Sequence, residues 1–372
     1  MTLYAHLVKP ILFRMDPEGV HDRAITAGRI IGSNSLTRGL VELAYDYEHP
    51  MLRQTIAGVR FRNPIGLAAG FDKDCRLMRV LPAVGFGSEE VGSITARPYA
   101  GNPKPRLTRL PTDSSIIVYY GLKNDGAHAA RERLKGTWRI PVGVSVAKTN
   151  TEHKTVEEKL DDWIAGITML KDAGAYLTIN ISCPNTYDPA NFCDPKLLWK
   201  LLHRIEQEHI TFHKPVFLKI TADLSTEHVD RIIELCRPRK WITGFVLTNL
   251  VKDRTKVEIK SPREMHEHVK GGLSGKLVMP KALALVRHVY EKAGDRFVLI
   301  GCGGVFTAQD AYAYIRNGAS LIQLITGMIY GGPGTIKRIN KGLVRLLKRD
   351  GFKDVKDAVG VDVKSAPKTP AR

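Results

Sequence analysis

The chain has no run of roughly 18 or more apolar residues, which excludes a helix that crosses a bilayer. It has only five cysteines in 372 residues and no CxxC pair, which argues against a disulfide framework or a structural zinc site and suits a reducing compartment. No cluster of histidines and carboxylates has metal-ligand spacing, so no metal is expected. The opening stretch MTLYAHLVKPILFRMD has no positive charge ahead of its apolar residues and no small-residue cleavage site, so no secretory leader is expected. Short internal repeats are absent as well. What remains is a chain with 43% hydrophobic and 25% charged residues, enough for one large core or two modest ones.

Net charge is +18, which alone admits nucleic acid, anionic lipid or small acidic substrates. Its distribution narrows the choice. Residues 1–48 carry five Lys/Arg against six Asp/Glu, whereas residues 335–372 carry eleven against four. The basic excess is therefore C-terminal and reads as a solvated tail; a disordered segment is expected over 351–372, ending in KSAPKTPAR.

Residues 1–50 read as helical. Tyr4, Leu7, Val8, Ile11 and Leu12 form one apolar stripe at helical spacing. The run from Pro17 to Gly19 interrupts it. Ala24, Ile25, Ala27, Ile30 and Ile31 form a second stripe closed by Gly32, and a third stretch runs from Leu36 to Tyr47. Such helices either pack on the following domain or lie in a membrane surface, where near-neutral local charge leaves apolar insertion to supply the binding.

Over 51–350 the pattern changes to short apolar runs, most of them separated by helix-length segments: Ile65–Ala69, Glu89–Ser93, Val142–Ala147, Tyr176–Ile181, Val216–Ile220, Gly244–Thr248, Phe297–Gly301 and Leu321–Ile325. Several are apolar almost throughout, as in parallel strands buried on both faces. Eight such units predict a (β/α)8 TIM barrel, with a doubly wound sheet as the rival.

An active site is then expected at the C-terminal strand ends, where polar residues recur in phase. They are Gly70 to Lys73, Asn180 to Asn185, Lys219, Thr248-Asn249, Gly301 to Gly304 and Thr326-Gly327. Gly303-Gly304 and Thr326-Gly327 predict a phosphate cradle, and Gly271 to Gly275 a further glycine-rich loop. Lys73 and Lys219 suit a flavin, whose reduced ring carries negative charge; an ion pair with a nearby Asp is the plainer role for each. Asn180, Asn185 and Asn249 match a planar ligand with carbonyl and N–H edges. Cys183 is the candidate base, since a thiol titrates near ~8.5 and a neighbouring lysine or cofactor dipole can ready it.

On these residues the chain resembles the dihydroorotate dehydrogenase family over about residues 4–350. The resembling segments are NPIGLAAGFDKD (63–74), GNPKPRLTRLP (101–111), NISCPNT (180–186), LKITADLS (218–225), GGLSGK (271–276) and GASLIQLITG (318–327). DPEGVH at 16–21 and PRLTRL resemble the membrane-associated, quinone-reducing class. The resemblance implies a barrel that binds FMN. A base takes a proton from C5 of dihydroorotate while hydride leaves C6 for the flavin, giving orotate for pyrimidine biosynthesis. By match, FMN contacts Ala69, Gly70, Lys73, Ser93, Ser145, Asn180, Lys219, Thr248, Gly275, Gly304, Ile325 and Thr326. Substrate contacts Lys73, Asn180, Asn185 and Asn249, with Cys183 as base. A membrane quinone approaches through the N-terminal helices near His21 and Arg109. Peripheral membrane contact on the cytoplasmic side is implied, and no nucleic-acid partner.

The sequence departs from the family pattern at several of these positions. Cysteine stands at 183, where the quinone class usually has serine. The substrate asparagine before GF is missing from Ile117-Val118-Tyr119-Tyr120-Gly121-Leu122-Lys123-Asn124, where Lys123 or Asn124 could compensate. Ser145, Leu250 and Ile325 replace the family's asparagine, threonine and tyrosine. Three further readings follow: an FMN barrel acting on another cyclic amide, a dihydrouridine-synthase-like enzyme acting on tRNA, and a non-catalytic membrane-surface protein.

Overall fold

The computed structural model describes residues 4–183, 185–186 and 192–364. Its strands are β1 (Gln54–Ile56), β2 (Val59–Phe61), β3 (Ile65–Leu67), β4 (Ser88–Ile94), β5 (Leu107–Leu110), β6 (Ser115–Val118), β7 (Val142–Val146), β8 (Tyr176–Asn180), β9 (Val216–Thr221), β10 (Ile242–Asn249), β11 (Gly272–Gly275), β12 (Val298–Cys302) and β13 (Ala319–Leu324). Strands β3, β4, β7, β8, β9, β10, β12 and β13 close in that order into a parallel barrel. These are the eight runs expected from the sequence, and with the surrounding helices they make a (β/α)8 barrel.

Period-two alternation explains both sides of the wall. Val144, Val146, Ile179, Leu218, Leu247, Leu299 and Ile322 face outward into the core shared with the helices. Their neighbours Tyr176, Phe217, Val246, Ile300 and Leu321 point inward and plug the lower lumen with Phe61. Two residues further along the same strands the inward positions are Thr178, Lys219, Thr248, Cys302 and Gln323. The lumen therefore turns from apolar to polar on the way to the mouth.

Two small sheets finish the barrel. The β1–β2 hairpin brings Phe61 to the lumen plug, turning at Ala57-Gly58 with both residues at positive φ. Antiparallel β5, β6 and β11 form a three-stranded sheet with its own core of Leu110, Ile117, Val251, Leu273 and Val278. The glycine-rich segment expected as a loop is thus largely a strand, because Gly272 to Gly275 pair with Val118 to Ser115.

The N-terminal region folds as a π-helical turn (Tyr4–Val8) and helices α1 (Lys9–Arg14), α2 (Pro17–Ser33) and α3 (Ser35–Tyr45). The Pro17–Gly19 interruption is in fact the start of α2. Asp16 caps it by accepting from the Gly19 amide at 2.6 Å, and Pro17 takes a first-turn position where no N–H is needed. Gly28 lets α2 approach the barrel, since a Cβ there would meet Leu77 Cδ2 at 2.6 Å. Ile25 and Ile31 pack on the main core. Leu7, Ile11, Ile30, Leu36, Leu40 and Leu43 stay exposed, Leu43 at 82%. No described helix is long and apolar enough to cross a membrane.

The expected disorder from residue 351 does not begin there. Val355–Ala358 and Val361–Lys364 are helical, Val355 and Ala358 are fully buried, and Asp362 pairs with Arg316. Two apolar anchors and an ion pair offset the cost of ordering the segment, which charge composition alone does not reveal. Residues 365–372 lie outside the described residues.

Candidate active site at the barrel mouth

The mouth holds a cavity of about 890 Å³, joined to one of about 500 Å³ through the shared residues Ala69, Lys219, Asn249, Leu250, Ser274 and Ile325. The larger is walled by His21, Gly70, Lys73, Ser93, Asn180, Cys183 and Asn185 among others. The smaller is walled by Thr248, Gly303, Gly304, Thr326 and Gly327. The structure thus brings together most residues singled out from the sequence. Ser145 and Gly275 stand one layer behind. Ser145 Oγ is 2.7 Å from Ser93 Oγ, and the Gly275 carbonyl oxygen backs Gly304, 3.0 Å from where a Cβ there would lie.

Amide and hydroxyl groups form a continuous ladder. Asn180 Nδ2 donates to Ser93 Oγ at 2.7 Å, and Asn249 Nδ2 donates to Asn180 Oδ1 at 3.1 Å and to Ser182 Oγ at 3.1 Å. Asn185 Nδ2 donates to the Val118 carbonyl at 2.7 Å, and its own carbonyl accepts from Asn102 Nδ2 at 2.9 Å. Asn102 is steadied by Tyr99 and Asn150. In the smaller, glycine-lined cavity Ser274 Oγ lies 3.0 Å from Thr326 Oγ1.

The lysines are not satisfied by ion pairs. Lys219 is buried and Lys73 half-buried, and neither has a carboxylate within 4.0 Å among the described residues. Lys73 Nζ instead lies 4.0 Å from the centre of the Tyr120 ring and 3.2 Å from His21 Nε2. Burial, and then the charge of Lys123, bring Lys73 down to about 8. Burial, and then Lys73, hold His21 down at about 4, so its ring is neutral, with Nε2 2.9 Å from the Phe71 carbonyl. A cation desolvated without a counter-charge is costly, so the lysine pair suits an anionic ligand in this cavity. Tyr120 adds a buried hydroxyl with no hydrogen-bond partner among the described residues.

Cys183 stands half-buried on the cavity wall. Its thiol is not readied as expected. Burial pushes it up to about 11, outweighing the Asn185 amide and the charges of Lys219 and Lys148. Arg109 does not line the cavity; it donates to the Met15 carbonyl at 2.9 Å and stacks on Phe13, its guanidinium carbon 4.7 Å from the ring centre. Asn124 is used up structurally. Its amide donates to Thr95 Oγ1 and the Leu122 carbonyl and accepts from the Thr95 and Gly126 amides. Sequence reasoning missed Tyr120 as a site residue and the apolar wall of Leu107, Ile116 and Ile329. For Ile116 the available signal was the β-branched run SIIV (115–118), which reads as a strand.

A closed (β/α)8 barrel whose mouth joins a glycine-lined pocket to a cationic, amide-lined cavity defines the class: a barrel oxidoreductase for a planar, anionic ligand set. Residues 51–347 match the family described as dihydroorotate dehydrogenase. The chain is 39% identical to a dihydroorotate dehydrogenase (quinone) of Myxococcus xanthus, covering 96% of this chain and 97% of the relative. It is 37% identical to one of Roseiflexus castenholzii, covering 96% of each. The structure of DHODH from Eimeria tenella in complex with ferulenol superposes with a TM-score of 0.83 at 28% identity, over 95% of this chain and 98% of that one. The chain belongs to the dihydroorotate dehydrogenase family, a family of flavoenzymes. These relatives do not favour the cyclic-amide or tRNA alternatives.

Proposed function

We propose that the protein oxidises dihydroorotate to orotate with FMN as its cofactor and passes the electrons to a membrane quinone. The observation that carries this reading is the cavity itself: a buried and a half-buried lysine without carboxylate partners among the described residues, beside three asparagines and a half-buried thiol. That donor set fits the cofactor. Gly304, Thr326 and Thr248 wall a pocket suited to its phosphate, with Gly275 behind. Ala69, Gly70, Ser93, Asn180, Lys219 and Ile325, with Ser145 behind, suit its ring. When bound, FMN supplies the hydride acceptor.

The chain's residues do the rest. Lys73, Asn180, Asn185 and Asn249 hold the substrate, the lysine by charge and the amides through ring carbonyl and N–H groups. Cys183 takes the proton from substrate C5 as a general base. The lysines hold negative charge in a site from which water is largely excluded, where such charge is otherwise costly. Neutral His21, beside Phe71, lies where α2 meets the cavity and so on the route to the N-terminal helices. Arg109 pins the α1–α2 junction through Phe13 and Met15.

The exposed leucines of α3 and the apolar residues before it suit peripheral contact with a membrane surface on the cytoplasmic side, the quinone entering between helix and barrel. Residues 1–50 are proposed as this access element, 51–350 as the catalytic barrel. The test is anaerobic mixing with dihydroorotate while following flavin absorbance near ~450 nm, the flavin band. Bleaching, followed by reoxidation with a quinone but not with fumarate or NAD, is the expected result. A yellow protein that does not bleach overturns the substrate.

A further inference from the structure

Among the described residues, the large cavity is lined by three lysines, Lys73, Lys123 and Lys219, and by no carboxylate. Lys73 and Lys219 have roles in the proposed reaction. Lys123 has none. It follows the turn at Gly121-Leu122, where both residues have positive φ. Its side chain is 36% exposed, so it reaches the cavity from the solvent side.

Among the described residues its ion-pair partner is Glu18 of α2, at 3.8 Å. That carboxylate is already engaged by Arg106 at 3.2 Å and lies 4.0 Å from Lys104. One buried carboxylate therefore serves three cations, and the surplus positive charge sits at the cavity mouth. Lys123 is close enough to Lys73 for its charge to oppose protonation there, second only to burial. An anion between the two ammoniums relieves this repulsion.

The same segment lacks an amide. Val118 lines the cavity with an isopropyl group and offers the backbone carbonyl that Asn185 already uses. Asn124 is committed to Thr95, Leu122 and Gly126 and is absent from the cavity wall. Lys123 is the charged side chain of this segment that lines the cavity, and the Tyr120 hydroxyl is its neutral neighbour there.

We propose that Lys123 is a substrate-binding residue: its ammonium leaves Glu18 and, with Lys73, holds the carboxylate of the substrate at the cavity mouth, replacing the anchor that Val118 cannot provide. Resting on the function proposed above, this predicts selectivity for an anionic ring over the same ring with a neutral carboxamide. Glu18 is then a positioning residue that parks Lys123 between turnovers.

The test uses the FMN-loaded full-length protein and calorimetric titration with orotate and with its carboxamide. Lys123→Met is expected to weaken orotate about 10- to 100-fold, the range for a hydrogen-bonded charge, and to leave carboxamide affinity as in the wild type. Lys123→Arg retains most of the orotate affinity. Glu18→Gln leaves orotate binding equal or tighter, because the parked ammonium is released. If Lys123 only pins α2, Lys123→Met binds orotate like the wild type, or loses orotate and carboxamide alike; either result overturns the proposal. A wild-type protein that neither binds orotate nor is bleached by dihydroorotate overturns the underlying function, and this inference with it.

Discussion

Asn249 at the end of β10 donates its side-chain amide to Asn180 at the end of β8, 3.1 Å away, although β9 lies between these strands. The contact arches over the position of Lys219 on β9, and Asn180 continues the ladder to Ser93 on β4. Three strand ends are thereby set in register around one buried ammonium. Replacing Asn180 with Ala leaves Ser93 and Asn249 short of partners. A loss of about 1–3 kcal/mol in urea unfolding is expected, together with weaker orotate binding in calorimetric titration. Unchanged values for both would show that the ladder does not organise the mouth.

Cys183 makes the pH dependence specific. A thiol pushed up to about 11 is protonated at neutral pH, so the limiting rate of flavin reduction by dihydroorotate is expected to rise with pH, up to about tenfold per unit below that value. Lys73, at about 8, must stay charged to hold an anion. Substrate affinity is therefore full below pH 8 and falls above it. Stopped-flow reduction at several substrate concentrations separates the two trends. Cys183→Ala keeps its flavin and loses reduction by about 100-fold or more; retention of the wild-type rate would remove the thiol from the mechanism.

The leucines of α3 test the membrane reading. Leu36, Leu40 and Leu43 are 72%, 62% and 82% exposed, so their joint replacement by Gln is expected to change unfolding free energy by no more than about 0.5 kcal/mol per site. Each contributes roughly 1.5–3 kcal/mol if it enters an apolar phase. Vesicle co-sedimentation should fall at least tenfold while anaerobic bleaching by dihydroorotate persists. Sedimentation equal to the wild type would place the membrane contact elsewhere.

Glu89 is fully buried, its oxygens have no hydrogen-bond partner among the described residues, and burial with the nearby Asp72 raises its carboxyl well above the usual range. The folded state thus holds it protonated. Its contribution to stability is present at acid pH below the unfolded carboxyl value and is lost as pH rises toward the folded one. Glu89→Gln needs no proton and should raise Tm more at pH 8 than at pH 4. Equal shifts at both pH values would mean that Glu89 is ionised in the fold.

The sequence by itself determined the barrel and the radial position of its mouth residues. Period-two alternation in eight short runs sends Tyr176 inward and Ile179 outward, and carries Lys219 and Asn180 to the mouth, because side chains on a strand have only two directions. Tertiary structure decided what depends on distant partners. Gly272–Gly275 is a strand because Ser115–Val118, more than a hundred residues earlier, pairs with it. Lys123 meets Glu18 only because α2 folds back over the mouth. Residues 351–364 are ordered because Arg316 and a core recess receive them. The Cys183 thiol titrates high because water is excluded around it by segments far apart in the chain, so neighbouring lysines do not prevail. Local pattern fixes direction along a strand; burial and charge sum over the whole fold.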